Sequence, residues 1–232
     1  MKTVVTSKAD AERRAARHIA SLLERKPEAV LALTAGHSTA GLYAELARLC
    51  AAGEIGLSRA RVFAVTELVG VPYEHSCRAV LERELVDKTD LDPNNFFIPD
   101  ADGCESYDAA IAAAGGIDLA VLGIGLNAHI GYNEPATPFD TRTHVQKLTD
   151  ATKRQLLAQG EEGRARAEFA VTMGLHTLVE ARDLLLLAFG QEKAEPVFKM
   201  VYGKTITYVP ASFLQLPLNM TAYLDEAAAE KL

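Results

Sequence analysis

Four short apolar runs, which alternate with helical patterns along the chain, constrain the fold of this protein more than any other feature. The runs lie at residues 29–33, 62–65, 117–122 and 184–189. Because they are continuously apolar rather than alternating, they predict strands that are buried on both faces of a sheet. Helices between such strands form right-handed crossovers and cover both faces. We therefore predict an α/β fold with an open, mainly parallel sheet.

The helices and the chain length complete this prediction. Helical spacing occurs at residues 8–26, 41–49, 77–86 and 105–114. A last strand is predicted at 220–224, with a short acidic and alanine-rich cap at 225–232. At 232 residues the chain lies in the range where an α/β fold forms one domain, so we expect a single domain over residues 1–232.

Charge and cysteine content exclude several classes of function. The net charge of −7 argues against broad attraction to nucleic acids or to anionic membranes, so an anionic ligand must be held locally. The sequence has no apolar stretch of about 18 residues and no signal-like start, which predicts a cytoplasmic protein. Its three cysteines are widely spaced, which indicates neither a disulfide framework nor a zinc site.

A small-residue segment, 34–39, follows the first apolar run and precedes a helical pattern. Unpaired backbone N–H groups and the positive end of a helix dipole favour a phosphate at such a place. Gly36 gives close approach, and Ser38 and Thr39 add hydroxyl donors. The alternative is an ordinary helix N-cap in a βα turn. His37 is unusual in such a loop, where it either contacts a ligand or lies on the surface.

The segment 123–135 carries the clearest chemical signal, because the third predicted strand runs directly into it. Ligands bind beyond the carboxyl ends of strands in open α/β sheets. Glu134 follows His129 by five residues, close enough through a turn to hold one imidazole nitrogen. A lone histidine is more often structural, but Gly125, Asn127 and Glu134 nearby favour an acid/base unit.

Lys193 is the remaining candidate for the same edge of the sheet. It lies in the segment 190–194, directly after the fourth apolar run. A lysine at that position can bind a phosphate as a point charge. The alternative is a solvated lysine at the start of a helix.

Taken together and in this order, these motifs resemble the glucosamine-6-phosphate deaminase and 6-phosphogluconolactonase superfamily over nearly the whole chain. Segment 123–135 is similar to the glycine-rich stretch of the deaminases, which ends in His and Asn-Glu-Pro, and the lactonases usually lack this ending. Asn127, Cys77 and segment 209–214 look most like the galactosamine-6-phosphate isomerase branch. Further similarity lies at 33–39, 69–72, 91–95 and 190–194.

The resemblance implies a Rossmann-like fold and an amino-sugar-phosphate isomerase/deaminase that needs no metal or cofactor. It would convert galactosamine or glucosamine 6-phosphate to a ketose 6-phosphate and ammonia. His129 would open the sugar ring with Glu134 orienting it, and Asn127 stands where many deaminases carry a second carboxylate. The phosphate would bind segment 34–39 and Lys193. The expected partner is a small sugar phosphate, with no nucleic acid or membrane, and a homo-oligomer is allowed.

The chain departs from the family pattern after the second apolar run, where the usual Asp-Glu pair reads Thr66-Glu67. A threonine hydroxyl is too weakly basic to replace the proton-transferring aspartate. Adjacent strand residues face opposite sides, so Glu67 reaches a substrate only if the strand has already ended. His37 stands where the family has a small residue, and it either narrows the pocket or offers a new base.

Two other functions follow from these departures. One is a sugar-phosphate-binding paralogue whose catalysis is lost or altered, because Thr66 replaces the base. The other is a hydrolase similar to 6-phosphogluconolactonase, which needs only His129 to activate water.

Overall fold

The computed structural model describes residues 1–232 and contains ten strands and eight α-helices. The strands are β1 (Lys2–Val5), β2 (Val30–Leu33), β3 (Arg61–Ala64), β4 (Thr66–Leu68), β5 (Phe96–Phe97), β6 (Leu119–Leu122), β7 (His144–Lys147), β8 (Phe169–Thr172), β9 (Asp183–Ala188) and β10 (Met220–Leu224). The helices are α1 (Lys8–Arg25), α2 (Ala40–Ala51), α3 (Cys77–Glu84), α4 (Cys104–Ala113), α5 (Asp150–Ala158), α6 (Glu162–Ala165), α7 (Leu175–Val179) and α8 (Ala194–Tyr202). None of these helices has the length and apolar character needed to span a membrane.

Seven strands form one parallel sheet in the order β1-β10-β9-β6-β2-β3-β5. Residues on alternate sides of a strand enter two separate cores. In β2, Leu31 and Leu33 pack with α1, α2 and α3, whereas Val30 and Ala32 pack with α4, α7 and α8. The prediction of an open, mainly parallel sheet covered by helices on both faces is confirmed.

The central strands β2, β6 and β9 are paired in a nearly level register. Leu33 lies opposite Val121, and Leu122 lies opposite Leu186. Because parallel strands run in the same direction, the loops that follow these three strands emerge together at the carboxyl edge. The register therefore brings segments 34–39, 123–135 and 190–194 to one place.

At the opposite edge, the Asp118 carboxylate joins the beginnings of the same three strands. It accepts hydrogen bonds from the Val30 backbone N–H at 2.8 Å and from Lys26 Nζ at 2.8 Å. Arg182, which directly precedes β9, donates to the second oxygen at 3.0 Å. The side chain of Asp118 is only 5% exposed, so these partners satisfy an otherwise costly buried charge.

A second sheet, β4-β8-β7, is antiparallel and was not predicted from sequence. The predicted strand 62–65 corresponds to β3, but β3 stops at Ala64 and Thr66 begins a new strand that the sequence did not indicate. Thr66 pairs with Thr172 of β8. With three residues, β4 is too short to show the alternation of apolar and polar residues that predicts a strand. The strand β7 is half-exposed and polar, so it has no apolar run to mark it.

Other boundaries differ by smaller amounts. The edge strand β1 lies within a polar start and was not predicted. The predicted helix 77–86 ends at Glu84, and a 3₁₀ turn follows at Val86–Lys88. Residues 225–232 form successive turns after β10.

Asp118→Asn should lower the free energy of unfolding by about 2 kcal/mol, because hydrogen bonds to a charged acceptor contribute roughly 1.5–3 kcal/mol and Lys26 and Arg182 lose their counter-charge. Urea unfolding measures this directly. The exposed Asp87 provides the control, since Asp87→Asn should change stability by no more than about 0.5 kcal/mol. Equal effects of the two variants would contradict the role of Asp118.

Candidate active site

An open cavity at the carboxyl edge of the main sheet collects most of the predicted site residues. Of these, Gly36, His37, Ser38, Thr39, Thr66, Gly125, His129 and Lys193 line it. Glu67, Asn127 and Glu134 do not line it. The opposite wall comes from α5, α6 and the turn between them, which contribute Thr152, Gln155, Leu156, Gln159, Glu161 and Arg164.

The loop between β2 and α2 presents free donors to this cavity. The backbone N–H groups of residues 36–38 have no hydrogen-bond partner within the protein. The Thr39 hydroxyl donates to the carbonyl oxygen of Thr34 at 2.9 Å, and Tyr43 Oη donates to the same oxygen at 2.7 Å. Thr39 therefore holds the loop in shape instead of capping α2 with its side chain. Thr34 also lines the cavity, and its buried hydroxyl has no hydrogen-bond partner.

Lys193 reaches the cavity from the 3₁₀ turn Gln191–Lys193, which follows β9. The residue is 4% exposed, and its Nζ donates to the Ile124 carbonyl oxygen at 2.7 Å. Burial lowers the pKa of this ammonium, and the nearby Glu192 carboxylate opposes the shift. The turn begins at Gly190, whose φ of 93° favours glycine, and Asp225 accepts its N–H.

His129 packs tightly against Gly125. A Cβ atom on Gly125 would lie 2.3 Å from the His129 ring, so only glycine fits there. The imidazole is 7% exposed, and its Nδ1 lies 3.1 Å from the Thr152 hydroxyl. Its Nε2 has no hydrogen-bond partner within the protein and is available to a ligand. The preceding Ala128 has a φ of 64°, a left-handed conformation that turns the chain before His129.

Glu134 lies behind His129 rather than in the cavity. Its Oε2 is 3.9 Å from His129 Nδ1, too far for a hydrogen bond, so Thr152 is the direct partner of the imidazole. Glu134 Oε2 accepts from Asn127 Nδ2 at 2.6 Å, and its Oε1 accepts from the Thr149 backbone N–H at 3.1 Å. The predicted Asn127–Glu134–His129 group is thus assembled, but Glu134 acts on His129 through charge.

The environment of His129 determines its protonation state. Burial lowers the pKa of His129 to about 4; the Glu134 carboxylate opposes this shift, and the charge of Lys193 adds to it. The imidazole is therefore neutral near pH 7. A neutral imidazole has one donor and one acceptor nitrogen, which suits it to move a proton in either direction.

Glu67 is turned away from the cavity, because the strand β4 continues through it. Its carboxylate accepts from the backbone N–H groups of Cys77 at 2.8 Å and Arg78 at 2.9 Å, at the start of α3. A carboxylate at a helix N-terminus is a stabilising arrangement. Glu67 could reach a substrate only if the strand ended before it, and β4 does not end there. The prediction that Glu67 acts on the substrate is therefore wrong.

Thr66 does line the cavity, where it is 3% exposed. Its hydroxyl lies 3.5 Å from Cys77 Sγ, and Arg164 Nη2 donates to the same sulfur at 3.2 Å. The corner at Thr66 therefore holds a guanidinium from α6. Arg164 Nε is buried without a hydrogen-bond partner.

Glu161 joins this corner to the loop at 34–39. Both of its carboxylate oxygens accept from Arg164 Nη1, at 3.1 and 3.0 Å. His37 Nε2 lies 3.2 Å from Glu161 Oε1, and the His37 side chain is 57% exposed. Of the two alternatives for His37, the structure supports a position on the cavity rim, partly in solvent.

Sequence reasoning missed the whole wall formed by 150–164. Thr152, Glu161 and Arg164 lie in a polar, charged stretch that resembles an exposed helix and carries no motif. One contact in this wall could be expected from sequence: threonine is a common helix N-cap, and the Thr149 hydroxyl accepts from the Thr152 backbone N–H at the start of α5. No group of three or more His, Cys, Asp or Glu side chains is placed to share a metal ion.

Comparisons with known proteins identify the family of this chain. The family described as glucosamine-6-phosphate isomerases/6-phosphogluconolactonase matches residues 5–222. A protein of Streptomyces avermitilis named glucosamine-6-phosphate deaminase is 41% identical over 92% of this chain and 85% of its own. A protein of the same name from Pseudarthrobacter chlorophenolicus is 40% identical over 94% of this chain and 87% of its own.

The solved structures extend the comparison to the fold. A structure described as a monomeric glucosamine-6-phosphate deaminase, a missing link of the NagB superfamily, superposes over 100% of both chains with a TM-score of 0.95 and 31% identity. The 6-phosphogluconolactonase of Thermotoga maritima, at 19% identity and a TM-score of 0.76 over 96% of this chain and 97% of its own, shares the fold. On the match over 5–222 and the identities near 40%, this chain belongs to the glucosamine-6-phosphate isomerase/6-phosphogluconolactonase family.

Proposed function

We propose that this protein converts a hexosamine 6-phosphate and water to a ketose 6-phosphate and ammonia. The observation that carries the proposal is the free Nε2 of a buried, neutral His129 in a cavity whose other side offers unpaired N–H groups and Lys193. The two deaminases near 40% identity support the same reaction. Their name also favours glucosamine over the galactosamine branch that Asn127 and Cys77 suggest.

The phosphate would bind the donors at one end of the cavity. These are the backbone N–H groups of residues 36–38, the Ser38 hydroxyl and Lys193 Nζ. The N-terminus of α2 adds the positive end of its dipole, since this helix is twelve residues long. Holding the phosphate there fixes the sugar with respect to His129.

His129 would then open the pyranose ring. Its acceptor nitrogen takes the proton of the O1 hydroxyl while the C1–O5 bond breaks, and the imidazolium returns a proton to O5. Thr152 holds the ring orientation, and the Glu134 carboxylate at 3.9 Å stabilises the transient positive charge. The product of this step is the open-chain aldehyde.

Deamination requires a proton to leave C2 and another to reach C1. The C2–H electron pair forms a C1=C2 double bond while the C1=O1 π pair moves to O1, which takes a proton from solvent, and an enolamine results. Protonation at C1 then converts it to an imine at C2. Water adds to C2, and ammonia leaves from the same carbon. Thr66 cannot accept the C2 proton.

Purified protein should release ammonia from glucosamine 6-phosphate or galactosamine 6-phosphate, measured by a coupled glutamate dehydrogenase assay. His129→Asn should lower kcat by ~10²–10⁴-fold, because a positioned general acid/base contributes that much. His144 lies outside the cavity, so His144→Asn is the matched control with unchanged kcat.

Wild-type protein that releases no ammonia from either sugar would contradict deamination. If these sugars still raise its melting temperature, the function is binding without turnover, which Thr66 favours. Rapid hydrolysis of 6-phosphogluconolactone in the same preparation would support the lactonase instead.

Lys193→Gln should raise KM for the sugar phosphate by ~10–100-fold with little change in kcat. A charge-assisted hydrogen bond contributes roughly 1.5–3 kcal/mol, and its loss affects ground and transition state alike. Glutamine can still donate to the Ile124 carbonyl oxygen. Lys199, half-exposed on α8, is the control: Lys199→Gln should leave KM unchanged. An unaltered KM for Lys193→Gln would remove Lys193 from the phosphate site.

The low pKa of His129 predicts a loss of stability in acid. Unfolded His129 binds a proton near pH 6.5, whereas folded His129 binds one only near pH 4. Its contribution to the free energy of unfolding is therefore complete above pH 6.5 and falls as the pH drops towards 4. Relative to His129→Gln, the wild type should lose roughly 3 kcal/mol of unfolding free energy between pH 7 and pH 4. Urea unfolding of both proteins at several pH values measures it. Parallel curves would show that His129 is not buried in its neutral form.

A further inference from the structure

The cavity contains a carboxylate at a position that no motif marks. Six titratable side chains line it: His37, His129, Tyr132, Glu161, Arg164 and Lys193. Glu161 is the only carboxylate among them. The carboxylates suggested by sequence do not compete with it, because Glu67 binds the N-terminus of α3 and Glu134 lies behind His129.

The other lining groups are unsuited to remove the C2 proton. His129 is occupied with ring opening, and Arg164 is a permanent cation. Burial raises the pKa of Tyr132 well above its usual range, so this phenol is no base near pH 7. Lys193 donates to the Ile124 carbonyl oxygen and is positioned for the phosphate.

Glu161 and Thr66 line the same cavity and are linked through Arg164. Arg164 connects the two positions: its Nη1 donates to Glu161, and its Nη2 donates to Cys77 Sγ, which lies 3.5 Å from the Thr66 hydroxyl. The carboxylate is thus one guanidinium and one thiol away from Thr66. The carboxylate of this cavity therefore comes from the residue before α6 and not from β4.

The contacts of Glu161 fix its carboxylate without using all of its acceptor capacity. Arg164 Nη1 donates to both oxygens, and His37 approaches Oε1 at 3.2 Å. A carboxylate has about four acceptor positions, so Oε2 retains one for a proton. The Glu161 side chain is 19% exposed, which leaves it accessible from the cavity.

We propose that Glu161 is the catalytic residue that transfers the proton between C2 and C1. This inference rests on the proposed function. Glu161 Oε2 takes the C2 proton while the C2–H electron pair forms the C1=C2 bond, the C1=O1 π pair moves to O1, and O1 takes a proton from solvent. The protonated Glu161 then returns the proton to C1 while the nitrogen lone pair forms the C2=N bond. Glu161 ends ionised, as it began.

The test compares two carboxylates with the same kinds of partner. Glu161→Gln keeps the shape of the side chain and one acceptor oxygen, and it should lower kcat for deamination by ~10²–10⁴-fold. Glu180 lies outside the cavity, where Arg142 donates to both of its oxygens and His176 lies 3.2 Å away. Glu180→Gln should leave kcat and KM unchanged.

Binding by the variant is measured separately, as the rise in melting temperature with the product fructose 6-phosphate. Glu161→Gln should keep this rise while it loses turnover. Adding Thr66→Asp to Glu161→Gln should raise kcat at least about tenfold above that of Glu161→Gln alone, since it returns a carboxylate to the lining of the same cavity.

Three results would overturn the assignment while deamination by the wild type stands. The first is full activity of Glu161→Gln. The second is a Glu161→Gln protein that loses fructose 6-phosphate binding as well as turnover. The third is a double variant, with Thr66→Asp added, whose kcat is no higher than that of Glu161→Gln. Wild-type protein without ammonia release would instead refute the proposed function, and the role of Glu161 with it.

Discussion

The level register of the parallel strands β2, β6 and β9 is the constraint on which the rest of the structure depends. The three strands are paired residue by residue, so the loops after them share one edge. A slip of one residue would move every side chain of a strand to the opposite face and disrupt both cores. Asp118 holds the other ends of these strands together. The cavity is therefore a consequence of the sheet.

Within the cavity, burial controls the chemistry of His129 more strongly than its charged neighbours do. The Glu134 carboxylate favours the protonated imidazole, yet at 3.9 Å it does not outweigh the loss of hydration. Asn127 contributes an amide donor to Glu134 and no negative charge. A neutral imidazole held by the Thr152 hydroxyl results, with Nε2 free to accept a proton.

Local patterns predicted much of this arrangement. The continuous apolar runs identified the strands β2, β3, β6 and β9, and loops that follow parallel strands meet at one edge. That reasoning brought together His129, Lys193 and the loop at 34–39. Pattern reasoning failed at β4, where three residues carry no period and the strand continues through Glu67. It also failed along 150–164, because packing against distant segments is what buries Thr152 and Arg164 and partly covers Glu161.

The sequence by itself determined the fold class, the edge that carries the site and the family, because each depends on apolar periodicity or on a contiguous motif. Only the tertiary structure decided which carboxylates face the cavity. Glu67 is removed by strand pairing with β8, Glu134 is placed behind His129, and Glu161 is brought in by α6. The direction of a side chain relative to a cavity depends on contacts between residues far apart in the chain, and these contacts form only when the elements pack.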